Sequence, residues 1–437
     1  MTHADATLAV IFEDLAPLPG AGGLNALSPL ADLRPAFDIR TGALTTIERL
    51  GRSLALKLVA LLPREELLPL CRELHASTNV TTPSDLAASL HATAASGSVS
   101  AATSSLLFIN ARCVLPIPEI TALCDGQMLI ESSTGSVIAA VGSAALAASL
   151  QRGERPSLVA KDFPKLALLS RPWHVRTFRD RAIAVDLELL GNDAAFQPAS
   201  SPTQPPPGCL RFGSSRLSIH PTAKIYPGVT FDLEAGPIVI DQNAVVRPGV
   251  VMCGPFYLGA NSTAGDRSLL KPNTAIGPFC KVAGEISGTI IQGYSNKGHD
   301  GHLGDSWLGE WVNLGAGTTN SNLLNTYGEV IAKALPSGTN ERTGEQFLGA
   351  IIGDHVKTAI CTRLMTGCVI HTGAMCATTA AVSGCVEAFA WCTDAGNRRY
   401  RLDKFVEVAK AMMARRRVMP SVEYLKRITG LHVGTVE

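Results

Sequence analysis

Residues 240–282 read IDQNAVVRPGVVMCGPFYLGANSTAGDRSLLKPNTAIGPFCKV, and this stretch decides the fold. An aliphatic or small residue recurs at every sixth position, and Pro or Gly commonly follows two or three places later. A period of six fits neither a helix of 3.6 residues per turn nor a plain hairpin. It is typical of hexapeptide β-helix repeats, in which each hexad forms one short edge of a coil. The eight consecutive members of this phase are Ile240, Val246, Met252, Leu258, Ala264, Leu270, Ile276 and Val282.

A second run with the same period lies further along the chain. Its members are Ile352, Thr358, Leu364, Ile370, Cys376 and Val382. Coincidence in an aliphatic-rich chain is the alternative explanation. It is a poor one, because eight consecutive members carry turn residues at fixed offsets. We therefore predict a β-helix over residues 217–392.

The remaining sequence divides into three parts. Residues 1–195 carry short apolar strands at 8–12 and 106–109 and helical patterns at 45–50 and 53–62, which predicts an α/β domain. Residues 196–216 are rich in Pro and form a predicted extended linker. Residues 393–437 predict a helical tail, with helices over 402–418 and 420–428. Because a solenoid needs its end covered, we expect this tail to cap the β-helix.

Composition excludes several classes of function. The 437 residues carry 38 basic and 37 acidic side chains, so there is no basic surface for nucleic acid or an anionic membrane. A hydrophobic content of 46% argues against disorder. We find no signal-peptide pattern and no apolar run of about 18 residues, and we expect a cytoplasmic protein. None of the 11 Cys forms a Cys-x-x-Cys pair. Buried small hydrophobes are the favoured interpretation of these cysteines, ahead of disulfides or a metal site.

Residues 294–325, YSNKGHDGHLGDSWLGEWVNLGAGTTNSNLLN, place His299 in a glycine-bounded loop between repeats. Small residues let a ligand approach the backbone, and Asn offers both a donor and an acceptor. A neutral histidine can accept the proton that an amine nucleophile must lose. The loop therefore predicts a binding cleft with one general base. A surface histidine and turn-forming asparagines are the alternative.

The same stretch resembles the acetyltransferase half of the bifunctional N-acetylglucosamine-1-phosphate uridylyltransferase / glucosamine-1-phosphate acetyltransferase family, whose fold is a left-handed parallel β-helix. The family pattern of Gly-His, Leu-Gly-Asp, Ile-Gly, Val-Asn-Ile-Gly-Ala-Gly-Thr and a following Asn matches this chain without gaps over His299 to Asn322. The matching segments are Gly298-His299, Leu303-Gly304-Asp305, Leu308-Gly309, residues 312–318 and Asn322.

The resemblance implies a role for each matched residue. His299 would be the catalytic base that deprotonates the amine of glucosamine 1-phosphate as it attacks acetyl-CoA. The backbone of Ala316 and Gly317 would face the pantetheine arm of acetyl-CoA. Asn313 and Asn322 match family asparagines and would bind the sugar or the oxyanion. Lys297 is a candidate to bind the sugar phosphate as a compact point charge. Where the chain departs from the family pattern, His302 replaces a tyrosine and could donate to the phosphate, and Lys271, Lys281 or Arg267 could replace a phosphate-binding lysine. Residues 415–417, all Arg, could meet coenzyme A phosphates or form a solvated helix face.

The N-terminal half carries a weaker pattern. The strand at 8–12 is followed by a Gly-rich segment that begins at Gly20, where backbone amides could hold phosphates. If this site is active, Arg34 and Arg40 would bind nucleotide phosphates. Asp14 and Asp38 are then the candidate ligands for Mg²⁺. A degenerate domain with a flexible loop remains the alternative.

These observations predict a homotrimeric transferase of two domains, with trimerisation implied by the resemblance. The predicted reaction is acetyl transfer from acetyl-CoA to an amino-sugar 1-phosphate, coupled with nucleotidylyl transfer from UTP. Two alternatives stay open. One is a nucleotidylyltransferase acting on a hexose 1-phosphate with a structural or regulatory β-helix, and the other is a non-catalytic scaffold that binds sugar nucleotides.

Overall fold

The computed structural model describes residues 7–18, 21, 23–95, 105–196 and 205–435, with only the backbone described for 90–95. Most of the predicted linker, two glycines of the Gly-rich segment and most of the region 96–105 therefore lie outside the described residues. The described chain forms an N-terminal α/β domain, a parallel β-helix and a helical tail, which confirms the predicted fold class.

The N-terminal domain is built on one six-stranded sheet with the order β2-β1-β3-β5-β4-β6. All pairings are parallel except those of β5. The strands are β1 Leu8–Phe12, β2 Lys57–Leu62, β3 Leu106–Asn110, β4 Gln127–Glu131, β5 Val137–Gly142 and β6 Val159–Phe163. The helices are α1 Thr46–Ser53, α2 Leu68–Leu74, α3 Pro83–Ala95, α4 Pro118–Thr121, α5 Leu146–Gln151 and α6 His174–Gly191.

The helix predicted over residues 53–62 is wrong. Helix α1 ends at Ser53, Ala55 has a φ of 49°, and Lys57–Leu62 is a strand that pairs with β1. An apolar run of this length does not distinguish a buried strand from a buried helix. Thr45 begins α1 with a capping box in which its side chain and that of Glu48 exchange hydrogen bonds with the backbone.

The β-helix has three faces of stacked parallel strands, which we number I to III in the order in which the chain visits them. Face I contains Leu210–Phe212, Thr230–Asp232, Val251–Cys253, Leu269–Leu270, Glu285–Ser287 and His302–Gly304, and Thr319–Asn320 pairs with Arg363–Leu364 further along. Face II contains Leu217–Ile219, Ile238–Ile240, Phe256–Leu258, Thr274–Ile276, Ile290–Gly293, Trp307–Glu310, Ile351–Ile352, Val369–Ile370 and Cys385–Val386.

Face III begins with Lys224–Ile225, Val245–Val246, Thr263–Ala264, Lys281–Val282 and Asn296–Lys297. It continues with Lys357–Thr358, Met375–Ala377 and Ala390–Thr393, and Gly396–Arg399 pairs antiparallel with the last of these. An insertion between the coils carries a short hairpin of Ile331–Ala332 and Glu341–Arg342.

The six-residue period marks the side chains that point into the β-helix. The eight members from Ile240 to Val282 are each 1% exposed or less, and those of the second run are 7% exposed or less. The prediction from the period is therefore confirmed at the level of single side chains. Seven of the 11 cysteines are buried and all are free, in agreement with their interpretation as small hydrophobes.

The segment after β1 packs the N-terminal domain onto the β-helix. Arg34 donates to the carboxylate of Asp354 at 2.7 Å, and the two side chains are 5% and 0% exposed. The indole Nε1 of Trp307 donates to the carbonyl of Arg40 at 3.0 Å. The backbone N–H of Arg40 donates to the side chain of Gln292 at 2.8 Å. These contacts join the two domains through a buried surface.

The tail forms helices α7 Leu402–Ala414 and α8 Val422–Gly434, which differ from the predicted bounds by a few residues. Phe405 packs edge-on against Phe389, and Tyr424 shares a 2.7 Å hydrogen bond with Nε2 of His355. The tail thus lies against the last coils of the β-helix. No helix in the described part of the chain is long and apolar enough to cross a membrane.

Candidate functional site

His299 lies in the loop of residues 298–301, at the corner where the chain passes from face III to face I. The preceding strand is Asn296–Lys297, and the following strand is His302–Gly304. The side chain of His299 is exposed. A histidine in this place can meet a substrate from solvent and accept its proton.

The backbone of the 298–301 loop is held from two sides. The carbonyl of Asp300 accepts a hydrogen bond from the N–H of Gly317 at 3.1 Å. The ammonium of Lys297 donates to the carbonyls of His299 and Asp300. Gly301 has a φ of +115°, and a Cβ there would clash with the carbonyl of Thr318. Only glycine fits this close approach, so the backbone conformation of the loop requires a glycine at position 301.

Ala316 and Gly317, the predicted contacts of acetyl-CoA, occupy the same corner one coil further along. Gly317 has a φ of +74°, and a Cβ there would lie 3.0 Å from Sγ of Cys361 in the next coil. The carbonyl of Ala316 accepts from the N–H of Cys361 at 2.6 Å. Both residues therefore lie beside the His299 corner, and their contact with acetyl-CoA stays a prediction.

Asn313 lies on the outer side of face III, in a column of polar residues from successive coils. Asn296 pairs with Asn313, and Asn313 pairs with Lys357. Neighbouring strands are about 4.8 Å apart, so these side chains are adjacent. Arg416, which lies between α7 and α8, donates to the side chain of Asn296 at 2.7 Å. We call Lys281, Asn296, Asn313, Lys357 and Arg416 the face III polar strip.

The cations of the face III polar strip have no carboxylate partner among the ion pairs of the described residues. Among the described residues, Lys357 donates only to the carbonyl of His355, at 3.2 Å. Burial lowers the pKa of Lys357 to about 8. A strip whose cations have no carboxylate partner among the described residues is suited to bind an anion such as a phosphate.

Lys271 and His302 lie on the outer side of face I. Lys271 forms a 2.6 Å ion pair with Glu285, and its hydrogen bond lowers the pKa of that carboxyl. His302 is the strand partner of Glu285 in the next coil, and its Nδ1 lies 3.4 Å from the carbonyl of Asn320. His302 thus lies near the His299 corner. Lys271 lies two coils away from His302, and its ammonium is paired with Glu285.

Asn322 lies on the outer side of face I, beside His302. Its amide donates to Asp305 at 2.7 Å, and Arg179 of α6 also contacts Asp305. A Cβ on Gly304 would meet both the His302 ring, at 2.5 Å, and Nδ2 of Asn322, at 2.8 Å, so these two side chains are close together. The role of Asn322 as a substrate contact stays a prediction.

Lys297 is placed differently from the prediction. Its side chain is 1% exposed and points into the β-helix, level with the inward residue Val282. Its ammonium already donates to three backbone carbonyls. The prediction that Lys297 binds the sugar phosphate is wrong, because the charge lies inside the coil.

In the N-terminal domain, Asp14 lies at the carboxyl edge of the parallel strands, where such sheets bind ligands. Arg112 holds both of its oxygens, at 2.7 and 2.6 Å, and Asn110 donates to it at 2.9 Å. Asp38 instead contacts the ring of His75 at 2.9 Å. The two carboxylates face different partners, so they do not fit a shared Mg²⁺ site. No cluster of three or more metal-ligating side chains is found within the described ranges.

The predicted nucleotide-binding arginines are used in packing. Arg34 is 4% exposed and bonded to Asp354, so the prediction that it binds a nucleotide phosphate is wrong. Arg40 is 8% exposed and donates to the carbonyl of Ala43 within its own turn. The structure contradicts a nucleotide role for Arg40 as well, because its guanidinium is turned inward at the domain interface.

Sequence reasoning missed Asn296 and Lys357 as members of the site, and it did not place Arg416 beside Asn296. The insertion between the coils hides the fact that residue 357 stacks on residue 313. The docking of the tail on Asn296 also has no local signal. The run of three arginines was noticed, but its partner could be found only in three dimensions.

Comparison with known proteins agrees with this architecture. Residues 20–195 match the family model described as sugar nucleotidyl transferase. The class that fold and site define is thus a sugar nucleotidyl transferase-type domain joined to a hexapeptide β-helix.

Two similar proteins are bifunctional by name, and one of the names gives both activities. The chain is 33% identical over 134 residues to the bifunctional sugar-1-phosphate nucleotidylyltransferase/acetyltransferase of Sulfurisphaera tokodaii, which is 30% of this chain and 33% of that protein. It is 31% identical over 144 residues to the bifunctional protein GlmU of Methanococcus maripaludis, covering 32% of this chain and 34% of that protein. The matches span about a third of these relatives. The resemblance to the bifunctional family is thereby confirmed, at modest identity and over part of the chain.

A solved structure of AntD, an N-acyltransferase from Bacillus cereus in complex with dTDP and 3-hydroxybutyryl-CoA, matches 48% of this chain and 93% of its own. Its identity is 14% and its TM-score is 0.22, and at these values the likeness supports no conclusion about this chain. The Sulfurisphaera tokodaii relative is a transferase by name, in agreement with the predicted enzyme class.

Proposed function

We propose that the β-helix transfers the acetyl group of acetyl-CoA to the amine of an amino-sugar 1-phosphate of the glucosamine type. The observation that carries this proposal is the exposed His299 side chain on a loop with a fixed backbone, next to Ala316–Gly317 and the face III polar strip. The acetyltransferase activity named for the Sulfurisphaera tokodaii relative supports it.

In this reaction, the amine nitrogen attacks the thioester carbon and gives its proton to His299. The new N–C bond forms, the C–S bond breaks, and the coenzyme A thiolate leaves and takes up a proton. General base catalysis by a placed histidine contributes about 10²- to 10⁴-fold to such a rate. Positioning of the amine against the thioester supplies much of the remainder.

The face III polar strip is the proposed place for the phosphate of the sugar. Asn313 and Lys357 lie on adjacent coils, level with Asn296, which is two residues before the 298–301 loop. Ammonium and amide groups without a carboxylate partner can exchange their water for phosphate oxygens. Asn313 therefore stays a proposed substrate contact, and Lys357 and Arg416 take the place of Lys297.

The test is free thiol release from acetyl-CoA by the purified full chain. We expect release with glucosamine 1-phosphate, and none with N-acetylglucosamine 1-phosphate, whose amine is blocked. Release with glucosamine alone should need a higher concentration, because the phosphate contacts are missing. Equal release with the blocked sugar would show thioester hydrolysis and would contradict acetyl transfer.

A second proposed activity is nucleotidylyl transfer at the carboxyl edge of the N-terminal sheet. The match of residues 20–195 to the sugar nucleotidyl transferase model supports it. The engagement of Asp14 by Arg112 and of Arg34 by Asp354 argues that the residues first predicted do not carry it. Pyrophosphate release from UTP with N-acetylglucosamine 1-phosphate tests this activity. Absence of release would leave an acetyltransferase whose N-terminal domain is structural. A homotrimer stays a prediction that light scattering can check.

A further inference from the structure

Lys297 occupies a position that the β-helix otherwise gives to apolar or small side chains. Its strand partner Val282 points into the coil, and the next coil supplies Leu314 at the same level. Val282 and Leu314 are 1% and 2% exposed. A cation in such a column is unfavourable unless hydrogen bonds replace its lost hydration.

Backbone carbonyls supply that compensation. The ammonium of Lys297 has three hydrogens, and it donates to the carbonyls of Ala283, His299 and Asp300. Two of the three acceptors belong to the 298–301 loop. Burial lowers the pKa of Lys297 to about 8, and the negative charge of Asp300 opposes this effect.

We propose that Lys297 is a positioning residue, whose buried ammonium fixes the 298–301 loop so that His299 meets the substrate amine in one geometry. This inference rests on the proposed function, because it assigns His299 the role of base. The ammonium binds only backbone atoms of the loop, so the imidazole stays exposed. The Gly317 N–H to Asp300 hydrogen bond holds the same loop from the next coil. Small errors in the placement of a catalytic group reduce its rate strongly.

The test compares Lys297→Met with Val282→Ala. The first variant keeps an apolar side chain of similar length and removes the three hydrogen bonds, whereas the second disturbs packing at the same level. We expect Lys297→Met to lower kcat for acetyl transfer at least about 10-fold with KM changed less than about 3-fold. Val282→Ala should lower thermal stability and keep kcat within about 2-fold.

Hydrogen exchange gives a readout that does not depend on activity. The Gly317 amide, which donates to Asp300, should exchange at least about 10-fold faster in Lys297→Met and at the wild-type rate in Val282→Ala. Wild-type exchange and wild-type kcat in a folded Lys297→Met protein would overturn the proposal.

Lys297→Gln covers the case in which the Met variant does not fold. Its amide is shorter and neutral, so we expect a smaller change of kcat and of Gly317 exchange in the same direction, and no change in either would also overturn the proposal. If the wild-type protein transfers no acetyl group, the proposed function fails. The exchange measurement then still decides whether Lys297 holds the loop.

Discussion

The buried ion pair of Arg34 and Asp354 joins the two domains, and Arg34→Met should lower the free energy of unfolding by about 2–3 kcal/mol at pH 7. Burial raises the pKa of Asp354 to about 6, although Arg34 opposes this. Relative to the same carboxyl in the unfolded chain, burying the ionised Asp354 side chain already lowers the free energy of unfolding by about 3 kcal/mol at pH 7.

Protonation limits the additional cost. Once the pKa of Asp354 exceeds 7, the carboxyl becomes neutral, and the total cost cannot pass about 4 kcal/mol at that pH. Loss of Arg34 therefore adds about 1 kcal/mol through Asp354. Loss of the hydrogen bonds that Arg34 donates to Asp354 and to the carbonyl of Leu30 adds about 1–2 kcal/mol more.

The assay is urea unfolding followed by tryptophan fluorescence, because Trp307 is fully buried at this interface and bonded to Arg40. Arg52→Met is the matched control. Arg52 pairs with Asp193 at 3.1 Å, but the side chains are 44% and 35% exposed, so the loss should be below about 1 kcal/mol. Equal stabilities for Arg34→Met and Arg52→Met would refute the reasoning.

Lys357→Met should raise the KM for the sugar phosphate about 10-fold in the thiol-release assay and change kcat little. The same KM should rise in the wild-type enzyme as the pH passes about 8, where Lys357 loses its charge, and a pH-independent KM would contradict this assignment. Gly301→Ala should lower kcat at least about 10-fold because its Cβ would meet the carbonyl of Thr318. Gly298→Ala should keep kcat because its Cβ would meet nothing within 4 Å. Equal effects of the two substitutions would contradict the role given to the loop geometry. Because the pKa of Asp354 is raised to about 6, its protonated form favours the folded state. Its contribution to the free energy of unfolding is therefore complete below about pH 4 and is lost as the pH rises through about 6. Asp354→Asn should not show this loss in urea unfolding, and parallel pH curves for variant and wild type would contradict it.

The six-residue period predicted the β-helix because each coil repeats the same requirement for an inward side chain. Ile240 through Val282 satisfy that requirement, and the sequence shows it directly. Lys297 falls one coil further along and breaks the pattern. Hydrogen bonds to backbone carbonyls replace the lost hydration of its ammonium. Because every residue has a carbonyl, the sequence does not show which carbonyls will accept these bonds. A charged residue in a glycine-rich loop was therefore mistaken for a ligand-binding one.

The position of His299 could be predicted because its motif is local and its turn needs Gly301. The partners of Asp14, Arg34 and Asp354 could not, because they come together across the domain interface or across the sheet. Such long-range pairs depend on how two separately patterned units dock. The same reason hid Arg416, whose contact with Asn296 crosses from the tail to the β-helix.

The most direct test of the acetyl-transfer mechanism is kcat for glucosamine 1-phosphate and acetyl-CoA in His299→Asn, measured beside His220→Asn. Asn is close to His in size but cannot accept the amine proton near neutral pH. His220 belongs to the β-helix, and within the described part of the chain its imidazole forms hydrogen bonds only with Thr222. We predict a loss of at least about 100-fold for His299→Asn and no loss for His220→Asn. Wild-type kcat in His299→Asn would contradict the assignment of His299 as the base.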